Sequence, residues 1–346
     1  MLENKALRPN NTKSAPIPAF LSFDVEPDAF QLSRSAPPRW DGYDAMYDFS
    51  ERLRSELAKF TGVAPAFGWY FRTDPQIEEV YGRADHVLVE YPERMAQLRA
   101  HRDYFGVHAH PIRWCKQRQV WVHDFGDQEW LAHCTRFSLE TFSRWAGSPA
   151  LRTRWGAGLL TNEIIKATEE AGVAVDLTLE PVRGWGVDAS EVGTSVDASP
   201  MDGPYTDCSS APRLPYRPAH RDFRIKDNRH GRRLLMVPLT SAPVPDARWG
   251  WRKLAHRFSR WAKRTPVEMR MMYPSNEWPS ERFYWDSVER QLDSMKQPYL
   301  SLAIRTDADD LKIAARVRRV FEALPQHPLA ERLRFVDPLE RVPSLM

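Results

Sequence analysis

The chain has 346 residues, 42% of them apolar and 27% charged, with a formal net charge of +3. That length suffices for one large α/β domain or two small ones, and the near balance of charge speaks against bulk binding of a polyanion. Three cysteines (Cys115, Cys134, Cys208), an odd number at no metal-finger spacing, speak against a disulfide framework and fit a reducing compartment. Residues 1–18 are polar and rich in Pro and Asn, so they read as a disordered lead-in and not as a signal peptide. No run reaches the roughly 18 apolar residues of a membrane span. The expected location is therefore the cytoplasm. Thirteen Trp and 28 Pro point to long structured loops and to aromatic surfaces of the kind that stack on sugars.

From residue 19 onward, strand signals recur at Phe20–Asp24, Ala66–Arg72, Tyr104–His110, Val173–Leu177, Leu234–Leu239, Tyr299–Arg305 and Arg334–Val336. Helical patterns lie between them, at about Asp44–Phe60, Pro92–His101, Asp127–Trp145, Asn162–Ala171, Ser280–Met295 and Asp309–Leu324. Thr161-Asn162-Glu163 has the chemistry of a helix start and Ala171-Gly172 that of a stop. Strands alternating with helices along the whole chain predict a parallel sheet. The expectation is an α/β fold, a (β/α) barrel over residues 19–346, which the length suits. Residues 183–232 form a loop-rich insertion, and a loop that long in a compact domain is usually functional.

The stretch Ala19-Phe20-Leu21-Ser22-Phe23-Asp24-Val25-Glu26 carries the most chemistry. A buried strand delivers two carboxylates at i and i+2, so Asp24 and Glu26 share one face at its C-terminal end. Tyr104-Phe105-Gly106-Val107-His108-Ala109-His110-Pro111 does the same with two imidazoles. Carboxylates and neutral imidazoles on strand ends are what a borderline divalent cation such as zinc requires. The plainer alternatives are a helix N-cap at Asp24-Val25-Glu26 and a tight turn at His108-Ala109-His110-Pro111. Barrels place function on the C-terminal ends of their strands, where Asp24, Arg72, His108 and Arg305 all fall.

Arg72 and Asp74, two apart at the end of the second strand, read either as a substrate-binding pair or as an internal salt bridge. Tyr216 and Arg217, in Leu214-Pro215-Tyr216-Arg217-Pro218, present an aromatic ring and a guanidinium suited to a sugar bearing a carboxylate or phosphate; the alternative is a Pro-rich turn with a surface arginine. Residues 248–264 read as a basic, Trp-rich amphipathic helix. It either docks on the sheet or makes peripheral contact with an anionic membrane. Without an accompanying motif, that helix is no evidence for nucleic-acid binding.

In this order the motifs resemble the polysaccharide deacetylase superfamily, carbohydrate esterase family four and its relatives. The resemblance runs from about residue 19 to residue 340 and implies a distorted seven-stranded (β/α) barrel around a divalent metal. Ser22-Phe23-Asp24-Val25-Glu26 is similar to the first family motif, which implies Asp24 as general base and Glu26 as metal carboxylate. His108-Ala109-His110-Pro111 stands for the second, tighter than the family's His-x-x-x-His, and implies His108 and His110 as metal ligands. Leu151-Arg152-Thr153-Arg154-Trp155-Gly156 holds the place of the third, whose arginine orients the base; Arg152 and Arg154 both qualify. Leu235-Met236-Val237-Pro238-Leu239-Thr240 resembles the fourth.

The fifth motif departs from the family, with Arg305 where its general-acid histidine would stand. An arginine cannot protonate a leaving amine, but it can stabilise an oxyanion or hold an acidic substrate group. His123, in Trp121-Val122-His123-Asp124, is the substitute acid to consider, or a plain loop histidine. The resemblance implies a metal-dependent hydrolase removing an N- or O-acyl group from a carbohydrate or a lipid- or nucleotide-linked glycan precursor. The alternatives are a metal-independent amidohydrolase on a small cyclic amide and a catalytically silent carbohydrate-binding barrel.

Overall fold

The apolar run Ile17–Val25 forms strand β1, in which every residue but Pro18 is buried. Its alternate side chains enter two different cores. Ala19, Leu21, Phe23 and Val25 join the large cluster beneath the helices, and Phe20 joins a smaller one inside the curve of the sheet. This two-sided burial is what a strand flanked by crossover helices requires. The computed structural model describes residues 16–29, 31–158, 160–182, 201–203, 206–244, 268–272, 280–307 and 311–346. Ile17 and Pro18 thus belong to the sheet and not to the lead-in expected over residues 1–18.

After β1 come helix α1 (Asp41–Thr61), strand β2 (Gly68–Arg72), three short helices (Pro75–Tyr81, His86–Glu90, Pro92–Ala100) and strand β3 (Tyr104–His108). A hairpin of β4 (Ile112–Cys115) and β5 (Val120–Asp124) precedes helix α2 (Gln128–Ala146), strand β6 (Arg152–Thr153), helix α3 (Asn162–Glu170) and strand β7 (Val175–Asp176). Strands β8 (Met201–Asp202), β9 (Leu235–Met236), β10 (Ser241–Val244) and β11 (Glu268–Met271) follow. Helix α4 (Glu281–Ser294), strand β12 (Leu300–Arg305), helix α5 (Leu311–Glu322), strand β13 (Leu333–Phe335) and a short helix at Pro338–Arg341 come next. Each predicted strand is present, although β7 and β9 are only two residues long.

The main sheet runs β12-β1-β2-β3-β6-β7-β9, all parallel, with β13 paired to Ile17–Ala19 ahead of the stretch that β2 takes. The chain beyond β9 returns to β12: Thr240 N–H donates to Ser301 O (2.9 Å), and Ser301 N–H to Thr240 Oγ1 (2.9 Å). The sheet is therefore curled, consistent with a distorted (β/α) barrel. Tyr70, Tyr104, Val175, Leu177, Leu235, Val237 and Tyr299 fill the inside, and Val342 of the C-terminal segment seals the cluster. Glycines make this filling feasible. A Cβ at Gly106 would stand 2.5 Å from the Tyr70 ring, and one at Gly68 would stand 2.3 Å from the Tyr104 ring. No helix among the described residues is long and apolar enough to cross a membrane.

Candidate functional site

Five neighbouring strands deliver side chains to one end of the sheet, the C-terminal end of each. Asp24 lies at the end of β1 and Glu26 just past it, Arg72 and Asp74 likewise at and past the end of β2, His108 and His110 at and past the end of β3, Arg154 just past β6, and Arg305 and Thr306 at and past the end of β12. The register explains the meeting: Asp24 lies opposite both Tyr70 and Arg305, and Arg72 lies opposite His108. Neither Asp24 nor Glu26 caps a helix. The chain past β1 is pinned to β12, with Glu26 N–H donating to Thr306 Oγ1 (2.9 Å) and Thr306 N–H to Asp24 O (3.0 Å).

Three donor atoms converge. His108 Nε2 lies 3.2 Å from Glu26 Oε1, His110 Nε2 lies 3.3 Å from the same oxygen, and the two Nε2 atoms are 3.1 Å apart. All three residues are buried. His108 Nδ1 stands 2.6 Å from Arg154 O, and a carbonyl only accepts. The proton of a neutral His108 is therefore on Nδ1, and its Nε2 presents a bare lone pair to a carboxylate oxygen. Two acceptors at that range need a cation or a proton between them. A tetrahedral shell of bond length ~2.0–2.1 Å has edges of about 3.3–3.4 Å, so the donors sit close to the spacing a small divalent cation needs.

The protonation states agree with that use. Burial pushes His110 down to about 3, with the charge of Arg72 assisting and that of Glu26 opposing, so the ring is neutral at ordinary pH. Burial also opposes the charge on Glu26. The two imidazoles that face it, His110 first, outweigh burial and hold the carboxyl well below its usual range. Glu26, His108 and His110 form the cluster among the described residues able to hold a metal ion.

The remaining groups hold this set in place. Arg154 Nε lies 2.9 Å from the Asp24 carboxylate, and Arg154 Nη1 donates to Leu177 O (2.9 Å). Asp24 Oδ1 stands 2.9 Å from Arg154 Nε and 3.7 Å from His108 Nδ1 and makes no hydrogen bond among the described residues. Arg72 donates from Nη1 to Glu26 Oε2 (3.1 Å), from Nη2 to Asp74 Oδ1 (3.0 Å) and from Nη2 to Gln76 Oε1 (2.7 Å), leaving Glu26 Oε1 to the imidazoles. Asp74 Oδ2 in turn accepts His110 N–H (3.2 Å). Of the two readings of Arg72 and Asp74, the structure has the internal salt bridge, in a buried pair that braces the donors. Arg305 is 38% exposed, binds Asp307 through two nitrogens (3.0 and 3.1 Å) and stands 3.9 Å from Glu26 Oε1.

Other expectations are redirected. Arg152 does not reach Asp24: its guanidinium donates to Asp337 (Nε to Oδ1, 2.9 Å) and lies over the Tyr104 ring, near the strand starts. Tyr216 offers no sugar-stacking face, because its ring is wholly buried and its hydroxyl donates to Phe223 O (2.6 Å). Arg217 is spent on backbone carbonyls of the same loop, at Arg232 and Arg233. The basic helix expected over 248–264, and residues 183–200 of the insertion, lie outside the described residues. All three cysteines are free.

His123 is neither a loop residue nor a group at the mouth. It sits buried on β5 behind His110, with its Nε2 3.1 Å from His110 Nδ1. Three contributors escaped the sequence reading: Thr306, Gln76 and Gly156, whose added Cβ would stand 2.2 Å from the His110 ring. Only the Gly in Arg154-Trp155-Gly156 carried any signal, as a residue permitting close approach.

No protein-family model matches the chain, and no curated protein matches it. Solved structures align weakly over most of it. A probable polysaccharide deacetylase from Pseudomonas aeruginosa PAO1 shares 11% identity over 95% of this chain and 90% of that one, with a TM-score of 0.45. Puue allantoinase shares 12% identity over 96% and 91%, with a TM-score of 0.46. A 4-alpha-glucanotransferase from Thermococcus litoralis shares 10% over 96% of this chain and 40% of that one, with a TM-score of 0.43. At such scores the chemistry has to be argued from the site itself.

Proposed function

We propose that the chain is a divergent member of the polysaccharide deacetylase superfamily, a metal-dependent hydrolase that removes an N- or O-acyl group from a carbohydrate or glycan precursor. The observation that supports this reading best is the crowding of Glu26 Oε1, His108 Nε2 and His110 Nε2 at 3.1–3.3 Å beside a second buried carboxylate, Asp24. Glu26, His108 and His110 would hold the metal. A divalent cation there, zinc by the preference of a His₂-carboxylate set, would lower the pKa of water and polarise the acyl carbonyl.

The protein's own groups do the rest. Asp24 takes the proton of the attacking water through Oδ1, the carboxylate oxygen that makes no hydrogen bond among the described residues. Arg154 holds the Asp24 carboxylate in orientation through a charge-assisted hydrogen bond. Arg305, charged at any working pH and partly exposed, attracts the negative charge that develops on the acyl oxygen or an acidic group of the sugar. Because Arg305 has no proton to give, Asp24 returns the one it took to the leaving group. The substrate class is an acylated sugar, with lipid- and nucleotide-linked forms included.

The test is metal content followed by turnover. Elemental analysis of the wild-type chain should find about one equivalent of a transition metal, absent from His108→Ala. Acetate release from acetylated sugars should then require the metal and disappear in Asp24→Asn with folding retained. A wild-type chain that stays metal-free after resupply with zinc would overturn the reading.

A further inference from the structure

We infer that His123 is a positioning residue for His110: it fixes which ring nitrogen of His110 carries the proton and so keeps Nε2 bare as a donor. This rests on the metal reading above. Two further contacts help to place His110, one at its ring and one at its backbone N–H. Gly156 leaves the space against which the imidazole lies, and Asp74 Oδ2 accepts the His110 N–H (3.2 Å). Neither contact decides where the single proton of a neutral imidazole sits. That choice falls to whatever faces Nδ1, which is His123 Nε2 at 3.1 Å, with the ring centroids 5.4 Å apart.

For His110 Nε2 to act beside Glu26 Oε1 and His108 Nε2, its proton must be on Nδ1 and be donated to His123 Nε2. His123 then carries its own proton on Nδ1. That atom is buried and has no hydrogen-bond partner among the described residues, so Nε2, facing His110, is the His123 nitrogen engaged in a hydrogen bond. The geometry parallels His108, whose Nδ1 is fixed by Arg154 O (2.6 Å). Each imidazole of the cluster thus has an acceptor behind it, one a backbone carbonyl and the other a ring nitrogen. His123 is brought there by the β4–β5 hairpin, in which it pairs with Ile112, two residues beyond His110.

The experiment compares wild type, His123→Phe and His123→Gln. Phe keeps an aromatic ring in the space but accepts no hydrogen bond; Gln offers a carbonyl oxygen near the place of Nε2. Zinc affinity is read by competition with a chromophoric chelator, coordination by the visible spectrum of the cobalt-substituted chain, and folding by near-ultraviolet circular dichroism. His123→Phe should weaken zinc binding ~10–100-fold and alter the cobalt spectrum, while His123→Gln recovers most of the affinity. A folded His123→Phe that binds zinc like wild type with an unchanged cobalt spectrum overturns the inference. So does an equal loss in both folded variants, since packing alone would then explain it. A wild-type chain that binds no zinc defeats the metal reading itself, an outcome distinct from either.

Discussion

Replacing Gly156 with alanine adds one methyl group, and the geometry dictates where it goes. The new Cβ would stand 2.2 Å from both Cδ2 and Nε2 of His110 and 2.4 Å from Cε1. Ordinary contact begins at 3.4 Å, so the ring has to retreat by about 1.2 Å. Gly156 is not among the residues with positive φ, so alanine meets no backbone strain and the effect is steric. The retreat is several times the ±0.2 Å within which ligand distances at a metal are held. Losing one of three donors should lower zinc affinity at least ~100-fold, more than an outer-shell change does. The forced repacking should cost about 1–3 kcal/mol of stability. Zinc competition and urea unfolding measure the two effects. Gly126→Ala is the control, because its nearest contact would be 3.5 Å. A Gly156→Ala protein that binds zinc as tightly as the control would refute the placement of His110 as a donor.

Arg154→Gln should cut turnover strongly while leaving the fold intact. Arg152→Gln should leave turnover unchanged and cost roughly 1.5–3 kcal/mol through the Asp337 contact; steady-state kinetics and urea unfolding separate the two. Tyr216→Phe should cost about 1 kcal/mol by freeing Phe223 O and leave KM for the sugar unchanged, whereas a raised KM would return Tyr216 to the binding surface. Stability of the metal-free chain should fall as pH drops from about 6.5 toward 3. In that window the unfolded chain protonates a histidine that native His110, held down near 3, does not, and each such proton contributes up to about 1.4 kcal/mol per pH unit. His123, also pushed down by burial, adds to the slope, and His110→Gln should make it shallower in urea melts across that range.

The sequence alone determined the ends of β1 and β3. A period-two strand places i and i+2 on one face whatever surrounds it, so Asp24 with Glu26 and His108 with His110 were legible as pairs. Strand–helix alternation likewise announced a parallel sheet. Arg152 against Arg154 could not be decided that way: both sit on the inner face, and one pleat repeat of roughly 6.6 Å along the strand separates the base of the sheet from its mouth. Only the register of β6 with β3 and β7 fixes which arginine meets Asp24. Tyr216 looked like a loop aromatic because its pairing with Met236 is non-local and leaves no period in the chain. The parts that His123 and Gly156 play against the His110 ring were not legible, for the same reason. Their roles arise from approach distances between segments far apart in sequence, and those distances exist only once the sheet has curled.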